Sequence, residues 1–338
     1  MCYIIALAPQ VMAQDLEEEI PSTFTLYFEN DTFFGTDYLY TNGVKLSWTS
    51  PDLDGRKDNN HLDSWAYELC GLLPFVGEVE FKRSTSLSIG QNMYTPEDTV
   101  STELRVDDRP YAGIAYLEMG LYGKSNRLMN SWELLLGMVG PHSYAEDTQK
   151  FIHELRAEEV PQGWGHQLQD EPIINIFFSQ RGKLFEGEVG DGLGVSFIPN
   201  WGAGFGNLFI GAHAGAQILF GWNLPGDFGT SLIRPGSSTN VSRSEQVSPI
   251  AKSIPKLGVY IFCGVDGSYV LRNLILDGNT FQSSHSVEKE PLTGTAMVGL
   301  GFTWYRYKLS FAQVDRSKEF KGQNYRNEYG SITLSFVY

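Results

Sequence analysis

The stretch ENDTFFGTDYLYTNG, residues 29–43, sets three acids, two Asn, three Thr and two Tyr between two strand-like runs. A plain hairpin closes with two to five residues. A longer connection that opens on Glu29-Asn30-Asp31 raises the question of a binding role. A second stretch carries a base. The connection 140–171 contains GPHSYAEDTQKFIHELRAEEVPQGWGHQLQD. Ser143 with Glu146 forms a capping-box pattern, helix formers follow, and Val160-Pro161 closes a helix of about 15 residues. An ordered helix in a loop costs entropy, which favours a function for it. It carries His153, with Glu159 at its end. Six residues apart is about 120° off one helix face. The two converge only if Glu159 sits in the unwinding last turn. Carboxylates and amide carbonyls are the ligands of a hard cation such as Ca²⁺. A His beside such a cation can deprotonate water for attack on an ester. No GxSxG elbow is present, so water is a better attacking group than serine. Ser143 and Ser284 are the alternative nucleophiles, and His142 and His285 the rival bases.

These residues meet only if the strands around them place them at one end of the molecule. Period-two alternation recurs along the chain. Val298, Leu300, Phe302 and Trp304 alternate with Gly299, Gly301 and Thr303. In 207–222, Leu208, Ile210, Ala212, Ala214, Ala216, Ile218, Phe220 and Trp222 share a face opposite Gly211, His213, Gly215 and Gln217. The C-terminus repeats the pattern through Ile332, Leu334, Phe336 and Tyr338. One face is apolar with aromatics at its ends, the other small or polar. That suits a lipid-facing wall around a polar lumen. The strand lengths match a tilted crossing of a bilayer. The expected fold is all-β: a transmembrane antiparallel up-and-down β-barrel of about 12 strands, with a short helix in an extracellular loop. A soluble sandwich with one wet face is the competing reading.

The expected strands are 23–29, 43–50, 84–92, 111–122, 131–139, 172–181, 190–199, 207–221, 257–268, 292–304, 306–315 and 329–338. With both termini in the periplasm, the connections 30–42, 93–110, 140–171, 200–206, 269–291 and 316–328 lie outside the cell. Glu29-Asn30-Asp31, Thr41, His153 and Glu159 then share one rim. The connections 51–83, with a short helix in HLDSWAYELCGLL, and 222–256 lie on the periplasmic side. Both are long for this class.

Composition agrees with export. The 338 residues carry 40 Asp+Glu against 25 Lys+Arg, a net charge of −15, which excludes a basic nucleic-acid surface and simple docking on anionic lipid. Residues 1–13 read as a signal segment, with Ile4 to Ala8 apolar and Val11-Met12-Ala13 a small-residue cleavage site, though without a basic start. Residues 14–338 read as a single barrel domain. Cys2, Cys70 and Cys263 show no zinc spacing; pairing of Cys70 with Cys263 is left open.

The motifs FENDTFFGTDYLYTNGVKLSW, GQNMYTPED, DDRPYAG, GMVGPHS, PQGWGHQL, WNLPGDFG and DGNTFQSSHSVEKEPLTG, in this order, run through nearly the whole chain. Together they resemble the outer-membrane lipid A deacylase family, the LpxR family. The resemblance implies a twelve-stranded outer-membrane barrel. It implies Ca²⁺-dependent removal of the 3′-linked acyloxyacyl group of lipid A in lipopolysaccharide, at an extracellular site between the barrel wall and a loop helix. It assigns catalytic roles to Asn30, Asp31, Thr41 and His153 and places the metal at Asp31 and Glu159. It implies lipid A and outer-membrane lipids as partners, in a monomer. One departure stands out. Family members carry a functional Lys after the Tyr-Ser/Thr-Pro motif; here Glu97-Asp98-Thr99-Val100-Ser101 has none, and Arg105 or Arg109 is the candidate replacement. Hydrolysis of phospholipid esters, or a non-enzymatic channel or adhesin, are the alternative functions.

Overall fold

The computed structural model describes residues 22–31, 39–53, 61–189, 192–233 and 257–338. The expected signal segment 1–13 lies outside the described residues. The chain forms β1 (Thr23–Asn30), β2 (Leu39–Thr49), α1 (His61–Leu72), β3 (Lys82–Thr95), β4 (Ala112–Lys124), β5 (Leu128–Val139), α2 (Ala145–Arg156), β6 (Glu171–Gly182), β7 (Phe185–Val189), β8 (Leu193–Gly206), β9 (Phe209–Trp222), β10 (Leu257–Asn273), α3 (Leu274–Asp277), β11 (Leu292–Trp304), β12 (Tyr307–Arg316) and β13 (Asn327–Val337). Twelve strands close a ring of antiparallel neighbours. β1 pairs with β13, Thr23 opposite Val337, and β6 pairs with β8. Closure pairs every strand on both sides, which backbone in lipid requires. β7 is an extra strand, paired with the first half of β8. The end holding the start of β1 and the end of β13 is the near rim; the opposite end is the far rim.

Alternation sorts the side chains as the sequence indicates. Leu87, Ile89, Leu117, Val265, Val298 and Leu300 are exposed on the outer wall. Ser84, Ser86, Ser88, Lys45, Glu118, Glu133 and Gln217 are buried in the lumen. Buried charges there are paired, as burial demands: Lys45 with Glu118 at 2.5 Å, Lys124 with Asp52 at 2.8 Å, Lys308 with Asp227.

Two expectations need correction. The strand expected at 190–199 runs on to Gly206, so no outer connection spans 200–206. Its second half alternates Trp201, Ala203 and Phe205 with Gly202, Gly204 and Gly206. Glycine lowers strand propensity, yet here it makes room: a Cβ on Gly204 would lie 2.7 Å from the Phe177 ring. The segment after β9 does not stay at the near rim. Residues 223–233 turn into the lumen as a strap. Lys183 Nζ donates to the Gly226 carbonyl (2.9 Å) and Arg181 to that of Phe228 (3.2 Å). Gln217 exchanges two hydrogen bonds with the Thr230 backbone (2.7 and 2.9 Å). The Ile233 N–H donates to Glu29 Oε1 at 2.8 Å, near the far rim. A lumen filled this way argues against a channel. The pairing left open by the sequence does not form: Cys70 is buried and Cys263 exposed on the outer wall. The other long connection, 51–83, folds α1 onto the near rim. Cys70 and Val76 pack against Leu121 there, and Arg83 donates to the carbonyls of Tyr67 (3.2 Å) and Gly77 (2.9 Å).

Candidate active site at the far rim

Strand parity decides which face each candidate occupies. On β1, Glu29 points into the lumen, where its Oε1 accepts from Ile233 and from Ser331 Oγ (3.1 Å). Asn30, one residue on, therefore faces outward, paired in register with Asn42 and Gly330. Glu29 lies on the opposite side of the wall and does not join Asn30. Asp31 follows the strand end and is fully buried. On β2 the register with β3 shifts between Tyr40 and Asn42. Thr41 is the extra residue of a β-bulge, a device that re-aims a side chain. Tyr40 packs inward on Tyr94 and Tyr329, with ring centroids 5.3 and 5.0 Å away. Thr41 turns to the outer side, its hydroxyl 2.8 Å from that of Thr95.

The connection between β5 and β6 lies on this outer face. A 3₁₀ turn, Pro141–Ser143, leads into α2. The expected capping box does not form: the helix cap is Tyr144, in the left-handed region (φ 57°), with no side-chain cap bond. The turn docks on the wall because Gln91 Nε2 donates to the Ser143 carbonyl (2.7 Å). It also docks because Gly113 lets Ala145 approach; a Cβ at 113 would sit 2.2 Å from the Ala145 Cβ. Ala145 joins Met93, Tyr111 and Trp164 in a small apolar cluster. Ala145, Gln149 and His153, spaced by four, are the buried stripe of α2. Trp164, from the 3₁₀ turn Gly163–His166, donates its indole N–H to Gln149 Oε1 (2.8 Å) and clamps the helix.

α2 ends earlier than expected, at Arg156. Ala157 takes a left-handed cap (φ 56°) and its N–H bonds back to Glu154 and His153 carbonyls. This unwinding brings Glu159 back to the His153 ring through its main-chain carbonyl, 2.7 Å from Nδ1. The Glu159 side chain is exposed. A carbonyl only accepts, so Nδ1 donates to it, and in the neutral ring Nε2 is the basic nitrogen. His153 itself is buried, 6% exposed.

β3 links the two groups of residues. Met93 touches the first turn of α2, and Thr95 touches Thr41. Asn30, Thr41 and the buried stripe of α2 thus share the outer face of the wall at the far rim. The rivals are placed differently. His142 is exposed and bonded to Asp170 (2.5 Å). His285 donates to the Asp108 carbonyl (2.7 Å). Ser284 accepts from the Asn279 N–H (2.8 Å). Of the two arginines, Arg109 is fully buried, over the Tyr94 ring (4.9 Å) and paired with Glu319 (3.4 Å). Arg105 stays at the rim, paired with Asp98. Gln149, Trp164 and Gly113 went unrecognised in the sequence; the four-residue spacing of Gln149 from His153 was the available signal.

The donors near Asn30, Asp31 and Thr41 are oxygens, the right kind for a hard cation. Among the described residues no three His, Cys, Asp or Glu side chains gather as a metal site. Asp31 is the buried carboxylate beside these oxygens, while the Glu159 carboxylate is exposed and its carbonyl is bonded to His153.

A sequence-family model described as "Outer membrane protein LpxR" matches residues 1–338. The solved structure of LpxR from Salmonella typhimurium superposes with TM-score 0.70 at 18% identity, covering 94% of this chain and 100% of that one. The β domain of the Bordetella autotransporter BrkA aligns at TM-score 0.41 and 8% identity, over 94% of this chain and 98% of its own. The translocator domain of NalP from Neisseria meningitidis aligns at 0.38 and 7%, over 94% and 87%. Only the first is similar enough to bear on the fold, which it matches. No curated protein sequence matches the chain.

Proposed function

Because the chain belongs to the LpxR family of outer membrane proteins, we propose that it is a lipid A deacylase. In this reading water hydrolyses the 3′-linked acyloxyacyl ester of lipopolysaccharide at the far rim, which faces outside the cell. The observation that carries it is the buried His153 ring, on the same stripe of α2 as the wall-docked Ala145, with Nδ1 held by the Glu159 carbonyl. That hydrogen bond orients the ring so that Nε2 is the nitrogen that takes a proton from water. The same carbonyl then stabilises the imidazolium. As the tetrahedral intermediate forms, the Asn30 amide and Thr41 hydroxyl donate to the oxyanion. The Thr41–Thr95 contact fixes that hydroxyl in advance. The His153 imidazolium returns its proton to the leaving sugar oxygen. Ca²⁺, when bound by Asp31, Glu159 and main-chain oxygens, would supply Lewis-acid polarisation of the ester carbonyl. Asp31, buried beside Asn30, would hold it against the wall.

Hydrolysis of phospholipid esters is the second reading. It is favoured by the 97–101 loop, where Asp98 engages Arg105 and binds the Val100 and Ser101 N–H groups (both 3.1 Å). No cation of that loop is then available to an anionic sugar phosphate. Purified protein incubated with lipid A, and separately with phospholipid, decides between them. Release of an acyloxyacyl acid that needs divalent cation and His153 supports the first. Fatty acid released only from glycerophospholipid supports the second.

A further inference from the structure

α2 has three faces, not two. At 100° per residue, Ala145, Gln149 and His153 form the arc on the wall. Tyr144, Phe151, Ile152 and Leu155 form a second arc, roughly 120° round the axis. They are 61%, 63%, 39% and 72% exposed. Glu146, Asp147, Lys150 and Glu154 form the third, on the other flank. A helix that merely covers a wall puts its apolar residues against the wall and its polar ones opposite. Here the wall arc lies between an apolar flank and a charged flank. That is the layout of a helix lying along a membrane surface, with one side in acyl chains and the other in water.

Its surroundings choose the orientation. The charged flank ties back to the loop: Gln167 donates to Glu146 Oε2 (3.3 Å), and Lys150 pairs with Glu146 (2.6 Å). The apolar flank is left bare beside the outer wall. There Ile89 on β3 and Leu117 on β4, four residues from the contact points Met93 and Gly113, are exposed and apolar. The bare flank therefore continues the lipid-facing band. We propose that the Tyr144–Phe151–Ile152–Leu155 flank of α2 inserts among the acyl chains of the leaflet at the far rim. The helix thereby becomes a lipid-contacting edge of the site. Resting on the deacylase reading, this sets His153 at the boundary between acyl chains and headgroups, the level of the scissile ester.

The insertion is tested without catalysis. In a Cys263→Ser background, the variants Leu155→Cys and Glu154→Cys are each labelled with an NBD fluorophore. They are reconstituted in phosphatidylcholine vesicles with plain or brominated chains. Leu155 and Glu154 are neighbours that lie on opposite flanks. The label at 155 is expected to be quenched by brominated chains at least threefold more than the label at 154, and to resist aqueous iodide. Equal quenching at the two positions, or free access of iodide to 155, overturns the proposal. A second arm uses Phe151→Asp with Leu155→Asp, with folding checked by heat-modifiable gel migration. Deacylation of lipid A in vesicles is expected to fall at least tenfold, with kcat on detergent-dispersed lipid A retained. Unchanged deacylation in vesicles, or an equal loss in detergent, overturns the positioning role. Quenching at 155 in a protein that never cleaves lipid A would sink the deacylase reading and leave the insertion standing.

Discussion

The Gly113→Ala substitution tests how closely α2 must sit on the wall. The added Cβ would lie 2.2 Å from the Ala145 Cβ and 2.2 Å from Ser143 Oγ. Carbon atoms in good contact are about 3.5 Å apart, so roughly 1.3 Å must open between β4 and the start of α2. The wall here is strand β4, paired with β3 through Met93 and its neighbours and with β5 from Ile114 onward. The helix start is held by one bond from Gln91 and a small apolar cluster, so the helix gives way. Overpacking of this size costs about 1–3 kcal/mol, small beside a closed barrel. A misplacement of about 1 Å in a catalytic group costs on the order of 100-fold in rate. The expected outcome is a folded barrel whose kcat on lipid A falls by about that factor. Gly165→Ala is the control, since a Cβ there meets nothing within 4 Å. Rates come from timed mass spectrometry of lipid A, and folding from circular dichroism and heat-shifted gel migration. A wild-type rate for Gly113→Ala, or a loss matching the unfolded fraction, refutes the reasoning.

Other outcomes follow from the same geometry. Asn30→Ala and Thr41→Val should each lower kcat by roughly 100- to 1,000-fold with little change in KM, as loss of an oxyanion donor does; steady-state kinetics on dispersed lipid A checks this. Asp227→Ala strands Lys308 in the lumen, where breaking a buried pair costs about 3–5 kcal/mol, so the thermal midpoint of gel migration should fall while deacylation at low temperature persists. In planar bilayers the wild-type barrel should pass little current, since residues 223–233 fill its lumen. Burial pushes the Cys70 thiol up to about 11; at pH 8 it is almost wholly protonated, and only the thiolate reacts. A maleimide at that pH should therefore label Cys263 in detergent and leave Cys70 until the protein is denatured or the pH is raised toward 11.

Much of the wall was readable because alternation is a local signal. Val298 to Trp304 and Ile332 to Tyr338 announce their faces residue by residue, and the order of strands follows from short connections. Topology alone then set Asn30, Asp31, Thr41 and His153 at one rim. What escaped had no local period. Gly202, Gly204 and Gly206 read as a loop, because their value lies in making room for Phe177 and His213 across the sheet. The strap 223–233 is coil anchored by long-range hydrogen bonds. The bulge at Thr41 depends on the register with β3. The Ser143–Glu146 box failed because Ser143 is spent in a 3₁₀ turn against the wall. The Glu159 contact was foreseen as convergence in the last turn, but spacing cannot say that the carbonyl, and not the carboxylate, meets the ring.

The central claim is that His153, buried on α2 and held by the Glu159 carbonyl, activates water against an ester of lipid A. The most direct measurement is mass spectrometry of lipid A from cells expressing the chain with a competent signal peptide. Membranes are incubated with Ca²⁺ or with chelator, and His153→Ala runs in parallel. The account expects loss of one acyloxyacyl mass with Ca²⁺, absent with chelator and absent in the variant. Unchanged lipid A from wild-type protein folded in the outer membrane, or equal cleavage by His153→Ala, would contradict it.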